Sequence, residues 1–504
     1  MVGPVLANAQ NTDERIRARE IQILSNIAQT KFQDAIHNSL SVLHELGVDF
    51  TNADPTAMKV ELAKTQSLFE SCASNGQSLQ QAILEKPTST DVRRIGLMRI
   101  LCCASRAAYV AKPPLMLFVV LRMVQMSLVD EAITAESSYA FAALSFAMSG
   151  LGNHDLSCVA SKVASALDDR FDKKYTNTVV CLLNMSILPH RQPIQACIES
   201  FRQSHKDACS VGDRDWARIS INQISQMAIG APERGKSLDD VEKEIRRVLT
   251  GFSTKEEGLT NNLILSVLYL QMLLKLKEES PVGTADVQDP TVLTGTAMHQ
   301  EEYLKLCEEE GVRDYFRRFY CCRLYLAYLF HDHSLAEEMV KQCEEVAQLA
   351  RFCPSFEIIT ETFYMGLIAA EALQQRGQVD SASDIERWQQ LAMSSLDVLT
   401  KWAEEGSEWN FSHKADLLRA EIAVAKGDFD MAVSSYQSAI IGAGKSCYIN
   451  EEALGCERAG MFHMARGDIE EGKAYLNRAH SLYNAWGARR KAIDISQLIV
   501  SYCT

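Results

Sequence analysis

The stretch AKGDFDMAVSSYQSAI, Ala425 to Ile440, returns in altered form as ARGDIEEGKAYLNRAH, Ala465 to His480. Gly427 and Gly467 stand 40 residues apart. Each follows an apolar helical run and precedes an Asp and an apolar residue, Phe429 or Ile469. A small residue comes next (Ala432, Gly472), then a large one (Tyr436, Leu476), then Ala439 or Ala479. Small positions let the two helices of a hairpin approach closely, and large ones fill the groove of the neighbouring hairpin. The pattern predicts tetratricopeptide-like helical hairpins, with spacing looser than the 34-residue repeat. Near the N-terminus, TKFQDAIHNSLSVL (Thr30 to Leu43) carries part of it at Phe32, Ala35 and Val42, without the Gly-Asp turn. A non-repeating helical bundle is the plainer alternative; two full copies and a partial third favour the solenoid.

Outward from this repeat, helical periodicity is nearly continuous. Ile16, Ile23, Leu24 and Ile27 mark one face of a first helix, with a break expected at Thr30–Lys31. Gly47, Gly152, Gly212, Gly427 and Gly467 sit where left-handed helix caps are expected. Among 504 residues there are only 25 Gly and 11 Pro, too few breakers for a turn-rich β fold. The fold class is therefore all-α. The expected organisation is a loose N-terminus at 1–12, an N-terminal helical half at 13–279, a linker at 280–300 and C-terminal repeats at 301–504. The linker rests on SPVGTADVQDPTVLTGTAMHQ, which is rich in Gly, Pro, Thr and Asp and has no helical stripe.

Composition bounds the function. A net charge of −14 argues against nucleic acid or an anionic membrane as partner. Fifteen Cys in no regular framework, many in apolar helical runs, fit a reducing cytoplasm. No basic segment followed by an apolar core opens the chain, so the sequons at Asn184 and Asn410 are expected to be unused. The least charged stretches, Gly258 to Leu274 and Ser137 to Asn153, carry Ser, Thr, Asn or Gln. They are expected to be buried helices and not membrane spans.

The chemistry-bearing motifs are few. Gly442-Ala-Gly-Lys-Ser446 resembles the end of a phosphate-binding loop, but its first Gly position is Ala439 and the preceding segment is helical, not a strand. It is expected to be a Gly-rich turn between helices. His331-Asp-His333 follows Cys321–Cys322, but adjacent cysteines on a helix point about 100° apart. It is expected to be a polar turn in which Ser334 caps the next helix. No nucleophile–base signature appears. The expectation is a protein without catalytic, cofactor or metal residues.

Nearly the whole chain, Ala18 to Ser496, resembles a family. An ordered series carries the likeness: Trp402–Ala403, Asn410–Phe411, His413–Lys414, Ala420–Glu421, Asn450 to Leu454, Glu457, Ala465 to Asp468, Tyr483 and Trp486 to Ala488. HELGVDF (His44 to Phe50) and LRMVQMSLVDEAITAESSYAFA from Leu121 extend it. Together they resemble the helical-repeat region of multi-sensor signalling kinases, where Ser/Thr-kinase-like and AAA-type NTPase modules precede the repeats and GAF and histidine-kinase modules follow. This chain departs from them in having no H-R-D, no D-F-G and no complete P-loop. The resemblance thus implies a non-catalytic scaffold or regulatory module in signal transduction. Its partner would be a kinase, NTPase or histidine-kinase module, in cis or in trans. The alternative is a sensor that holds a small molecule or peptide in the groove; a convergent polar pocket would favour it over an open scaffold surface.

Asn410, His413, Lys414, Glu421, Asn450, Glu451 and Glu452 are the candidate partner-binding residues, as polar groups that would line a concave face. The competing assignment has the two Asn capping helices and the Glu paired with nearby Lys or Arg.

Overall fold

The computed structural model describes residues 9, 12–29, 31–50, 54–72, 78–252, 263–277, 289–310, 313–349, 356–376 and 382–503. Among these it is all-helical. The first helices are α1 (Thr12–Ala28), α2 (Phe32–Glu45), α3 (Pro55–Cys72), α4 (Leu79–Leu84), α5 (Val92–Ala111), α6 (Pro113–Val129), α7 (Glu136–Gly150), α8 (His154–Arg170) and α9 (Thr176–Met185). There follow α10 (Ile194–Ser210), α11 (Arg214–Gly230), α12 (Leu238–Phe252), α13 (Ile264–Lys277), α14 (Gln300–Glu310), α15 (Arg313–Leu329) and α16 (His333–Leu349). The chain ends with α17 (Phe356–Arg376), α18 (Ala382–Glu405), α19 (Glu408–Lys426), α20 (Phe429–Lys445), α21 (Ile449–Ala465), α22 (Ile469–Trp486) and α23 (Arg489–Cys503). No strand occurs among the described residues; one isolated bridge joins Thr88 to Ile133. Successive helices pack as neighbouring pairs.

The glycine stops fall where the sequence places them. Gly47, Gly152, Gly212, Gly427 and Gly467 all have φ between 75° and 86°. A side chain rarely adopts that region, so the turn selects Gly. The break between α1 and α2 also falls where expected, although Thr30 itself lies outside the described residues. The described parts of the two uncharged stretches lie in buried helices: every residue of α13, and all of α7 but its last, is buried, while residues 258–262 lie outside the described residues. Among the described residues no helix is long and apolar enough to cross a membrane.

The helices form two compact units. One comprises mainly Met1–Ile187 and Ser204–Ala217, the other Leu188–Gln203, Arg218–Leu349 and Ser355–Thr504. The division thus falls near residue 187 and not in the 280–300 stretch. Of that stretch, residues 280–288 lie outside the described residues, as does most of 1–12. The remainder is tied into the second unit: Leu293 is fully buried, and Gln271 of α13 accepts a hydrogen bond from Ala297 N at 3.0 Å.

Six helices of the second unit follow one another around a common interior. α13 packs on α15, α15 on α17, α17 on α19 and α19 on α21. Glu457 of α21 is bonded to Lys491 of α23, and α23 packs back on α13. At that seam Arg489 reaches Asp239 of α12 at 3.0 Å. The inner face is filled by the unit's own side chains.

Candidate functional site

The two AxGD turns join α19 to α20 and α21 to α22. Their small positions are contact points, as the repeat predicts: Ala432 and Ala479 are fully buried. A Cβ on Gly472 would lie 2.8 Å from Met464 Cγ and 3.1 Å from Gly460 O. The first helices of these hairpins, α19 and α21, present the candidate residues inward.

Asn410 is completely buried. It does not cap α19; Ser407 does. Its amide instead donates to Pro189 O (2.7 Å) and Gln192 O (2.8 Å), and its oxygen accepts from Ile194 N (3.2 Å) and the Tyr448 hydroxyl (2.8 Å). All its hydrogen-bonding capacity is used: three of the four bonds hold the 189–194 segment against α19 and the fourth holds Tyr448.

His413, Lys414 and Glu451 converge. Lys414 Nζ donates to Glu451 Oε2 at 2.8 Å and to Asn410 O at 3.1 Å. His413 Nε2 lies 2.6 Å from the same Oε2 and 3.2 Å from the ammonium. The ammonium also sits 4.1 Å from the centre of the Tyr448 ring. All three side chains are at most 6% exposed. Burial pushes His413 below its ordinary pKa, and neighbouring Lys414 pushes the same way. Burial lowers Lys414 as well. Burial works against ionising Glu451, but Lys414 and His413 together hold its carboxyl below the usual range.

Glu421 lies two turns along α19 from Lys414 and meets a different partner. Arg458 of α21 grips it through Nε (2.9 Å) and Nη2 (2.7 Å), and the Tyr436 hydroxyl donates to it at 2.7 Å. Arg458 Nη1 also reaches Glu371 of α17 at 2.5 Å. Glu452 turns the other way and pairs with Arg478 at 2.6 Å. Asn450 does not cap α21 but donates from Nδ2 to Gly230 O at 3.2 Å.

The structure therefore places six of the seven candidates inside the second unit, with only Glu452 partly accessible. A docking face needs accessible groups, and these are internal. The assignment of the Glu residues to Lys and Arg partners holds for Glu421, Glu451 and Glu452; that of the two Asn to caps does not.

Lys414, Asn450 and Glu451 border an interior cavity of about 40 Å³. Its remaining walls include Gln226 of α11, Tyr269 and Met272 of α13, Cys321, Cys322 and Tyr325 of α15, and Phe356, Phe363 and Tyr364 of α17. Tyr325 and Tyr364 meet edge to face, 4.9 Å between ring centres. Two buried amide oxygens, Asn450 Oδ1 and Gln226 Oε1, have no hydrogen-bond partner among the described residues.

Two motifs end differently from their expected forms. Gly442 to Lys445 is the last turn of α20, not a loop. A Cβ on Gly442 would lie 3.2 Å from His413 Cβ and one on Gly444 3.1 Å from Glu452 Oε2, so these glycines serve helix packing. In His331-Asp-His333 the cap is Asp332, which accepts from Leu335 N at 3.1 Å; Ser334 falls inside α16. His331, Glu457 and Asp494 do converge in metal-like fashion, the one such group among the described residues. Lys491 already supplies a cation there, 2.7 Å from Glu457 and 2.8 Å from Asp494.

Sequence reasoning passed over Arg458, Tyr448, Glu371 and Gln226, and it took Lys491 of the basic cluster Arg489–Arg490–Lys491 for part of a solvated face, whereas Lys491 is fully buried. One signal was present: Lys414 and Glu421 on α19 carry charges opposite to Glu451 and Arg458 on α21, in the same register. No protein-family model, curated protein or solved structure matches this chain.

Proposed function

We propose that the chain is a non-catalytic, tetratricopeptide-like regulatory module of intracellular signal transduction, acting on a kinase, NTPase or histidine-kinase module in cis or in trans. The observation that carries this reading is the matched register of the two hairpins. Lys414 with Glu451 and Glu421 with Arg458 are equally spaced pairs between parallel repeat helices, and stacked repeats build extended binding surfaces. The resemblance to the repeat region of multi-sensor kinases points the same way. With the inner face filled, the partner meets the outer helices, where Met431 and Ile441 of α20 are about half exposed. The test is affinity capture with the wild type and with Met431→Glu/Ile441→Glu, the partner being identified by mass spectrometry. A kinase or NTPase lost only from the variant supports the proposal. Intrinsic phosphotransfer by the purified chain overturns it.

A second reading, the effector sensor, is favoured by one observation: the polar residues Lys414, Asn450 and Glu451 border the same cavity, where a broad open groove would have favoured scaffolding alone.

A further inference from the structure

Of the described cysteines, Cys209 is the exposed one; the others are half-buried or buried. It stands in the last turn of α10, one turn beyond His205 on the same face. The imidazole is held in one tautomer. His205 Nδ1 lies 2.8 Å from Ala217 O of α11, and a carbonyl only accepts, so Nδ1 carries the ring proton. Nε2 then presents its lone pair, and Cys209 Sγ lies 3.8 Å from it. A nucleophile, a base and a group that orients the base therefore stand together where solvent reaches the thiol.

Two features say how this thiol reacts. It sits at the negative end of a helix, and partial burial pushes its pKa up from the ordinary value. A standing thiolate is disfavoured, so the S–H proton has to pass to His205 Nε2 as the sulfur attacks. The neighbouring charges say what it meets. Lys206, one turn before Cys209, and Arg214, at the start of α11, are both exposed and have no ion pair among the described residues. The acids nearby are turned away or engaged. Asp207 falls on another face of α10, Asp213 accepts from Trp216 N at 3.3 Å, and Asp215 pairs with Arg106 at 3.1 Å. The unpaired charges beside the thiol are cationic, in a chain of net charge −14, and attract an anionic reagent.

We infer that Cys209, with His205 as its base, is a thiol–disulfide exchange site for low-molecular-weight disulfides that carry carboxylates, the class of glutathione disulfide. The Cys209 proton passes to His205 Nε2 as the sulfur attacks one sulfur of the reagent. A new S–S bond joins Cys209 to half of the reagent, the reagent's own S–S bond breaks, and the leaving thiolate takes the proton back from His205. The disulfide is the oxidant and Cys209 is the group oxidised. The site lies outside the repeat ladder and goes beyond the reading of a signalling partner.

The test is peptide-resolved mass spectrometry of the whole chain, exposed to glutathione disulfide over about pH 6 to 10 at constant ionic strength. In the wild type Cys209 should be the first described cysteine to be modified. Its rate should be nearly independent of pH around neutrality, because the proton stays within the Cys209–His205 pair. His205→Gln keeps an N–H for Ala217 O but has no base. Its rate should fall about tenfold at pH 7 and rise about tenfold per pH unit, since only free thiolate then reacts, and meet the wild type in the most alkaline samples. Lys206→Glu/Arg214→Glu should slow glutathione disulfide about tenfold and change uncharged bis(2-hydroxyethyl) disulfide by less than about twofold. A wild-type rate that itself rises about tenfold per pH unit from pH 6, or a His205→Gln profile identical to wild type, overturns the role of His205. Equal slowing of both reagents by the charge reversal overturns the carboxylate-bearing class. Modification of other cysteines while Cys209 stays reduced removes the site.

Discussion

Arg458 holds both oxygens of Glu421, 37 positions before it, and the same spacing joins Glu451 to Lys414. The two pairs are one helical step of seven residues apart on each helix, with the charges exchanged. A slip of α21 by one turn against α19 would break both contacts and bury four charges without partners. Such a ladder fixes register even where an ion pair adds little net stability.

Removing one member should therefore cost far more than the pair is worth. Arg458→Met leaves Glu421 and Glu371 facing each other's charge in a site where Arg458 is 6% exposed. The expected loss is about 3–5 kcal/mol, the usual cost of stranding a buried charge. Urea unfolding measures it. Adding Glu421→Gln should return part of the loss, because the coupling between contacting residues is not additive. A single variant as stable as the wild type would show that the ladder does not set the register.

The small repeat positions make a separate prediction. Ala432 is fully buried where its counterpart in the next hairpin is Gly472. Ala432→Leu should overpack the α19–α20 contact by about 1–3 kcal/mol. Gly472→Ala should also destabilise, because Met464 can move from the added methyl but the Gly460 carbonyl is backbone. Unchanged urea midpoints for both would mean that the 40-residue register pairs the wrong positions.

Local features were legible in the sequence, and contacts between distant segments were not. The left-handed glycines, the α1–α2 break and the AxGD turns each depend on a few consecutive residues, so periodicity and turn chemistry reveal them. Asn410 looked like a cap because its neighbours suggest a helix start, yet its four partners come from Pro189 to Ile194 and from Tyr448. Gly442 and Gly444 resembled a turn because their use is to admit His413 and Glu452 from neighbouring helices. Lys414, Glu421 and Glu451 appeared as polar surface for the same reason. Each is buried by a partner 37 residues away, and charge alone does not announce that partner.

The GAGKS segment gives a clean chemical prediction. Its Gly442 to Lys445 backbone is helical, so its N–H groups are turned along the helix and not toward a phosphate. Calorimetry with ATP and magnesium should register no binding, and Lys445→Ala, at an exposed position, should leave stability within about 0.5 kcal/mol. Micromolar binding abolished by that substitution would reverse the assignment.

Acid should unfold the second unit earlier than its surface charge suggests. Burial opposes the ionisation of Glu371 and Glu457, but Arg458 with His333 and Lys491 with His331 more than offset it. Both carboxyls are held down to about 2 from an ordinary 4.5. A depressed carboxyl stabilises the fold fully above its unfolded pKa, and that contribution is lost as pH falls from about 4.5 toward 2. Each is worth up to about 3 kcal/mol at neutral pH, since one pKa unit corresponds to about 1.4 kcal/mol. Two histidines act in opposite senses just above this window. His413 is lowered by burial, so acidification below 6.5 favours the unfolded chain, which takes up the proton first. His333 is raised by its hydrogen bond to Glu371, so its contribution is present below 6.5 and is lost as pH rises through its folded value. They are opposite in sign, and the steep fall below this range belongs to the carboxylates. Urea midpoints should be almost flat from pH 7 to 5 and fall steeply from 4.5 to 3. In Glu457→Gln, whose starting stability is lower, the fall below pH 4.5 should be shallower because one titrating group is gone. A slope identical to wild type would show that Glu457 is not ionised in the folded chain.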